Sequence, residues 1–291
     1  IMDVKPILFV ILYIVGAPFI GGFLDGVDRK ISARMQGRKG PSVFQPFYDV
    51  IKLFQKEPLV VKRSQTFLVM TYLLFMVIAG GLFFAGMDLL LCFFALTTCA
   101  MFLVLAASFT HSPYASVGCQ RELVQMMAYE PMVLLTAVGF YVATGTFYVK
   151  DIIHMNTSAI AFLPGVFVGF LFILTIKMRK SPFDLSTAHH AHQEIVRGVT
   201  QEMVGSNLAL IHLAEWYEVV FLMGVVALFI VNSNPVSYVV ALIVILATYF
   251  LEILIDNTSA RVNWKVLLVS TWVVTLVAGG INLTILVLMH R

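Results

Sequence analysis

The chain has 291 residues, of which 60% are hydrophobic and only 12% charged, with a formal net charge of +3 and a mean hydropathy of +0.92. Soluble domains carry about 25% charged residues, so this chain cannot cover a water-exposed globule, and its apolar excess equally excludes intrinsic disorder. The three cysteines, Cys92, Cys99 and Cys119, form no C-x-x-C pair, which argues against a disulfide framework, a thiolate zinc site or an iron–sulfur cluster in this chain.

A bilayer core about 30 Å thick takes roughly 20 apolar residues of helix. Eight runs reach that length, at about 5–25, 65–86, 88–110, 122–146, 161–178, 207–232, 235–255 and 265–289. Backbone in lipid must satisfy its own hydrogen bonds, so the runs predict an all-α integral membrane protein with one membrane domain over 1–291. The first run has no basic stretch before it and a long basic one after it, and reads as a retained span rather than a signal peptide. No internal repeat is visible, against a transporter built from two similar halves.

Sixteen of the 19 Lys and Arg residues fall in the connections 1–2, 3–4, 5–6 and 7–8. That bias predicts that these connections are cytoplasmic and that both termini lie outside. In the first of them, residues 27–64, Phe44, Phe47, Val50, Ile51 and Phe54 recur at helical spacing beside Asp49, Lys52 and Lys56, which predicts an amphipathic helix at the interface. Beside a membrane this basic segment reads as a site for anionic lipid or a docked protein, not for nucleic acid. Residues 179–206 form the second long cytoplasmic segment. Gly22-x-x-x-Gly26 and Gly165-x-x-x-Gly169 read as close-packing positions between helices.

The informative residues are carboxyls within apolar runs. Glu130 lies eight residues into the fourth, with Glu122 at its edge; Glu215 and Glu218 lie in the sixth, with His212 one turn before Glu215; Glu252 lies in the seventh. A charge at the bilayer centre costs about 2.5–3.5 kcal/mol on insertion scales, so such groups face a wet cavity or a partner. No Lys or Arg is expected inside those runs. Desolvation disfavours the charged form of a lone carboxyl, which can then take and release a proton. The 5–6 segment extends the acidic line with Glu194 and Glu202, eight residues apart and on one side if helical, with Arg197 at ion-pair spacing from Glu194 and Asp184, His189, His190 and His192 just before. His190 and Glu194 are one helical turn apart, yet no complete metal-ligand set is present, so polar caps or proton-handling groups are the better reading.

Two segments carry a resemblance. Arg29 to Glu57 reads RKISARMQGRKGPSVFQPFYDVIKLFQKE, and Ser181 to Glu218 reads SPFDLSTAHHAHQEIVRGVTQEMVGSNLALIHLAEWYE. The first resembles the first cytoplasmic loop of the family containing the eight-helix, quinone-site membrane subunit of respiratory complex I, at Arg34, Gln36, Arg38, Gly40, Pro41, Gln45, Pro46, Asp49, Lys52, Lys56 and Glu57. The second resembles that family's fifth loop and sixth span, at Pro182-Phe183-Asp184-Leu185, Glu194, Gly198, Glu202, Gly205 and Glu215. Tyr129-Glu130 and Arg261 fit as well. The stretch Ser186 to Gln193 departs from the complex I pattern and is similar to the membrane-bound, energy-converting [NiFe] hydrogenases.

This resemblance implies a membrane anchor and coupling subunit of a ferredoxin-linked, ion-translocating hydrogenase in the cytoplasmic membrane of a bacterium or archaeon. It implies no cofactor in this chain, with the [NiFe] centre and iron–sulfur clusters in partner subunits docked through 27–64 and 179–206, and antiporter-like membrane subunits alongside. The alternatives are a quinone-site subunit of an NADH:quinone oxidoreductase and a stand-alone ion carrier.

Overall fold

The apolar run that opens the chain stays helical well past its last lipid-like residue. In the computed structural model, which describes residues 4–57, 63–187 and 197–289, α1 spans Val4–Met35. Its polar last turns are held by pairs one turn apart: Asp25 with Arg29 at 3.0 Å, and Ser32 donating to Asp28 at 3.2 Å. The helix stops before Gly37, whose φ of +74° an L side chain rarely adopts. The expected span of 5–25 is thus too short, and the loop expected from residue 27 begins only after Met35.

The amphipathic helix expected around Phe44–Phe54 is α2, Gln45–Gln55. It buries Pro46 and Val50 and leaves Tyr48, Ile51 and Phe54 exposed. The Phe47 ring meets Trp216 with centroids 5.3 Å apart. Gly22 and Gly26 let α1 receive this layer, since a Cβ on Gly26 would overlap the Val43 carbonyl and one on Gly22 would press on Phe47.

Then come α3 (Arg63–Phe84), α4 (Leu89–Ser108), α5 (Pro113–Thr144), the short α6 (Val149–Ile153) and α7 (Pro164–Lys177). The chain closes with α8 (Ser206–Ile230), α9 (Val236–Thr258) and α10 (Trp264–Val274), the last running through a π-helical turn at Thr275–Gly280 into α11 (Ile281–Met289). No strand occurs among the described residues. Asp88 caps α4 by accepting from the N–H groups of Leu90 and Leu91, and Pro113 opens α5 earlier than the expected residue 122.

Among the described residues, seven helices are long and apolar enough to cross a membrane: α1, α3, α4, α5, α8, α9 and the rod from Trp264 to Met289. The fifth expected span is the exception. α7 has 14 residues, roughly 21 Å of rise and short of a bilayer core. Asn282 of α11 holds its start: its Oδ1 accepts from the N–H groups of Gly165 (3.0 Å) and Val166 (3.1 Å), and its amide donates to Phe162 O at 3.1 Å. Gly165 packs on the Ala278 carbonyl and Gly169 on Met132, as close-packing glycines should.

Helix α8 is the hub. Of its most apolar stretch 67% is buried, against 22% in α1 and in the last rod, whose outward Phe9, Leu12, Phe19, Val269 and Leu276 form an apolar perimeter. One end of the bundle gathers the basic connections. There Val262 N–H donates to Pro182 O (3.1 Å), Val199 N–H to Ser186 O (3.0 Å) and Arg121 to Leu185 O (3.3 Å). Gly198, at φ +65°, lies where a Cβ would overlap the Ser186 carbonyl, so only glycine fits. Around Glu202 the segment is a 3-10 turn, Gly198–Thr200, followed by turn and loop up to α8, so Glu202 does not lie on the helical side expected of it. Glu194, His189, His190 and His192 lie outside the described residues.

Candidate functional site

The expectation of cation-free carboxyls is overturned where α5, α7 and α8 meet. Lys177, the last residue of α7, is 8% exposed, and Arg179, just beyond it, is 8% exposed. The sequence places both at the edge of an apolar run and so lets them pass for loop charges; the packing turns them inward. Lys177 Nζ pairs with Glu218 Oε1 at 3.4 Å and stands 4.4 Å from the centroid of the Tyr129 ring. Arg179 forks: Nη1 holds Glu215 Oε1 at 2.8 Å and Nη2 reaches Glu122 Oε1 at 3.5 Å. His212 Nδ1 meets the other Glu215 oxygen at 3.0 Å. Glu122 and Glu218 are both buried.

Ionised groups this deep persist only when paired and hydrogen-bonded. Here two cations serve three carboxylates, and the neighbouring Arg179 guanidinium is held above the usual arginine range because Glu122 and Glu215 outweigh its burial. Beside the pairs lies a cavity of about 10 Å³ lined by Tyr72, Glu122, Gln125, Tyr129, Lys177 and Glu218. Among the described residues, Tyr72 OH, Glu122 Oε2 and Gln125 Oε1 have no hydrogen-bond partner. The volume matches one water molecule.

The cluster opens onto a much larger cavity of about 880 Å³ between α1, α2, α8 and α9. Glu215, Glu218, Lys177 and Arg179 form its floor, and Asp25, Arg29, Asp49, His212 and Trp216 part of its wall. Arg29 ties the wall together, pairing with Asp25 at 3.0 Å and Asp49 at 2.8 Å, while Trp216 Nε1 donates to Asp25 at 3.4 Å. A second group closes the α9 side. Lys180 pairs with Asp28 of α1 and with Asp256 of α9 (3.4 Å), and Ser181 N–H donates to Asp256 at 2.8 Å. Burial alone would pull the Lys180 ammonium down; the two aspartates outweigh it and hold it above the usual lysine range.

The remaining sequence candidates divide cleanly. Glu130 is half-buried on α5, directly after Tyr129. Glu252 is 1% exposed on α9, one turn before Asp256. Asp184 is buried and pairs with Arg261 at 3.4 Å, a structural tie rather than part of the cluster. Arg197 lines the mouth of the large cavity, as do Gln36, Arg38, Asp49 and Lys52 of the docking set; Gln45 donates to Asp49 at 3.1 Å, and Arg34 is exposed. Sequence reasoning missed Lys177, Arg179, Lys180, Asp25, Asp28, Asp256, Tyr72 and Gln125. A usable signal existed for two of them: Asp25 and Asp28 are acids one turn apart in an otherwise basic stretch, and demand partners.

Comparison with known proteins fits this architecture. The sequence model of the family described as NADH dehydrogenase matches residues 7–287. Hydrogenase-4 component C of Escherichia coli is 29% identical over 85% of each chain. A subunit of the NADH-quinone oxidoreductase of Syntrophotalea carbinolica is 26% identical over 91% of this chain and 90% of its own. A chain of the membrane-bound sulfane sulfur reductase, an archaeal respiratory membrane complex, shares the fold with a TM-score of 0.85 at 22% identity, over 97% of this chain and 99% of its own. A family match across nearly the whole length is decisive: the chain belongs to the NADH dehydrogenase family.

Proposed function

We propose that this chain is the membrane anchor and coupling subunit of an ion-translocating, complex I-like respiratory assembly, of the ferredoxin-linked [NiFe] hydrogenase type. One observation carries the reading. The large cavity at the basic end leads, without an apolar break, through His212, Glu215 and Arg179 to Glu122, and beside it from Lys177 to Glu218. A peripheral arm seated over α2 and the segment between α7 and α8, on the cytoplasmic side, would close that cavity. The similarity to Hydrogenase-4 component C and the Ser186–Gln193 stretch support a hydrogenase arm holding the [NiFe] and iron–sulfur centres.

Coulomb's law sets what the cluster can do. A unit charge appearing about 10 Å from Glu215 shifts its energy by about 1.7 kcal/mol at an effective dielectric of 20, more than tenfold in a protonation equilibrium. Pairs at 3–4 Å interact several times more strongly, so Glu215, Arg179 and Glu122 respond together rather than singly. A proton entering at Glu215 displaces Arg179 toward Glu122. The change then passes through Lys177 and Tyr129 toward Glu130 and the antiporter-like neighbours.

The test is the purified complex in sealed liposomes. Glu122→Gln and Glu215→Gln should keep ferredoxin-dependent hydrogen evolution and lose most ion transport; full transport in both removes the cluster from the path. A quinone-reducing subunit is the second reading, favoured by the apolar wall that Val50, Leu53, Leu208, Val219 and Leu222 give the large cavity. Bound quinone in the purified complex, and a co-purifying NADH-oxidising arm in place of a hydrogenase, would establish it. Ion transport by this chain alone in liposomes would favour the stand-alone carrier.

A further inference from the structure

We propose that Glu252 is a separate proton-binding site, a branch off the large cavity served by Lys180 and Asp256, and not a station on the line from Glu215 to Glu122. The inference rests on the coupling reading above for its biological use, and on the burial of Glu252 and its unpartnered oxygen for its existence.

Three observations place the branch. Glu252 is 1% exposed, and its Oε2 has no partner among the described residues. Its other contact is the hydroxyl of Thr175 on α7. Thr175 and Lys177 are two residues apart, hence on opposite faces of that helix, so the wall of α7 stands between Glu252 and the Lys177–Glu218 pair. The charged groups acting on Glu252 are Lys180 and Asp256. Asp256 lies one turn along α9, faces the large cavity together with Lys180 and Tyr249, and is tied to α1 through the Lys180–Asp28 pair.

The chemistry follows from the count of charges. Lys180 is paired with the two aspartates Asp28 and Asp256, and acts on Glu252, one turn along the helix, only at a distance. A buried carboxylate with a neutral hydroxyl as its hydrogen-bond partner lacks compensation. Glu252 therefore accommodates a proton on its free oxygen. The proton comes from the cavity by way of the Asp256 carboxylate, and returns there when Lys180 swings from Asp28 toward Asp256. The site stores one proton at the α1–α9 seam and buffers the charge of the cavity wall.

The experiment is pH-jump infrared difference spectroscopy on the purified membrane complex, read at the carbonyl stretch of protonated carboxyls. Glu252→Gln should delete one band that exchanges in deuterated water. Thr175→Val, which keeps the volume, should shift that band without deleting it, and Asp256→Asn should move its transition. Glu218→Gln should leave it in place. An unchanged spectrum in Glu252→Gln overturns the site, and a band moved equally by Glu218→Gln overturns the branch and puts Glu252 on the main line. The readout needs neither turnover nor ion transport, so it stands apart from the liposome test of coupling.

Discussion

The two ends of the bundle are stitched by different chemistry. At the basic end α1, α2, α5, α8, α9 and the segment that follows α7 meet through ions: Arg29 with Asp25 and Asp49, Lys180 with Asp28 and Asp256, Arg179 with Glu122 and Glu215, Arg261 with Asp184. At the far end, among the described residues, the ties between elements named here are hydrogen bonds of neutral groups. Ser158 donates to Ile230 O at 2.7 Å, Asn232 to Ser158 at 3.0 Å, and Asn282 caps α7. Neutral hydrogen bonds hold one geometry whatever the local charge. Ion pairs change partners when a proton or electron arrives nearby. On the coupling reading proposed above, the molecule has an end that answers a redox event and an end that keeps the helices in register while it does.

The largest expected effect breaks the responsive end. Arg179→Met leaves the buried Glu122 and the half-buried Glu215 without their cation, and should cost about 3 kcal/mol or more, seen as a large fall in the Tm of the purified complex. Restoring Tm by adding Glu122→Gln and Glu215→Gln would confirm that uncompensated charge, not lost packing, is the cause. An Arg179→Met variant as stable as the parent would mean that the carboxyls are already neutral and the ion network is not the organising feature.

Lys177→Met comes next, because one carboxylate rather than two is stranded. The expected loss is about 3 kcal/mol, near the lower bound for a broken buried pair, and the double variant with Glu218→Gln should recover most of it. A full loss that the second substitution does not relieve would assign Lys177 to the Tyr129 ring instead.

At the neutral end, Asn282→Leu removes the cap from the short α7 and leaves Phe162 O without its donor. A lost cap costs about 1–2 kcal/mol. The contrast lies in how the loss behaves: it should be the same across pH and salt, and ion transport should persist in the variant that survives purification. A salt-dependent loss would erase the distinction between the ends.

Composition and run length made the all-helical membrane bundle legible, and the Phe44–Phe54 spacing made α2 legible, because both rest on periodicity that a sequence displays directly. The buried carboxyls were legible one at a time, since each breaks an apolar run. Their partners were not. Lys177 and Arg179 follow the apolar residues of α7 immediately, where a cation ordinarily snorkels to water, and only the shortness of α7 and the inward turn toward α5 and α8 bury them. The end of the first span was misplaced for a related reason: the polar last turns of α1 are stabilised by Asp25–Arg29 pairing, which a hydropathy window reads as loop. Partner choice across 36 or more residues of chain, as between Arg179 and Glu215, is a property of packing that no local pattern carries.

The smallest expected effect concerns the latch of α2, and it sharpens the comparison most finely. Arg29 and Asp49 are 38% and 40% exposed, so their 2.8 Å pair is screened by solvent and worth under about 1 kcal/mol. Asp49→Asn leaves Arg29 still holding Asp25, and the Phe47–Trp216 contact still seats the helix. The variant should therefore bind a peripheral module nearly as well as the parent at low salt and release it at somewhat lower salt, measured by retention of the module on washed membranes. This pair belongs to the basic end by position but to neither chemistry by energy: it is too exposed to relay charge and too weak to fix geometry. Complete loss of the module at low salt would show instead that the α2 surface is held by its charges, and that the responsive region extends to the docking face itself.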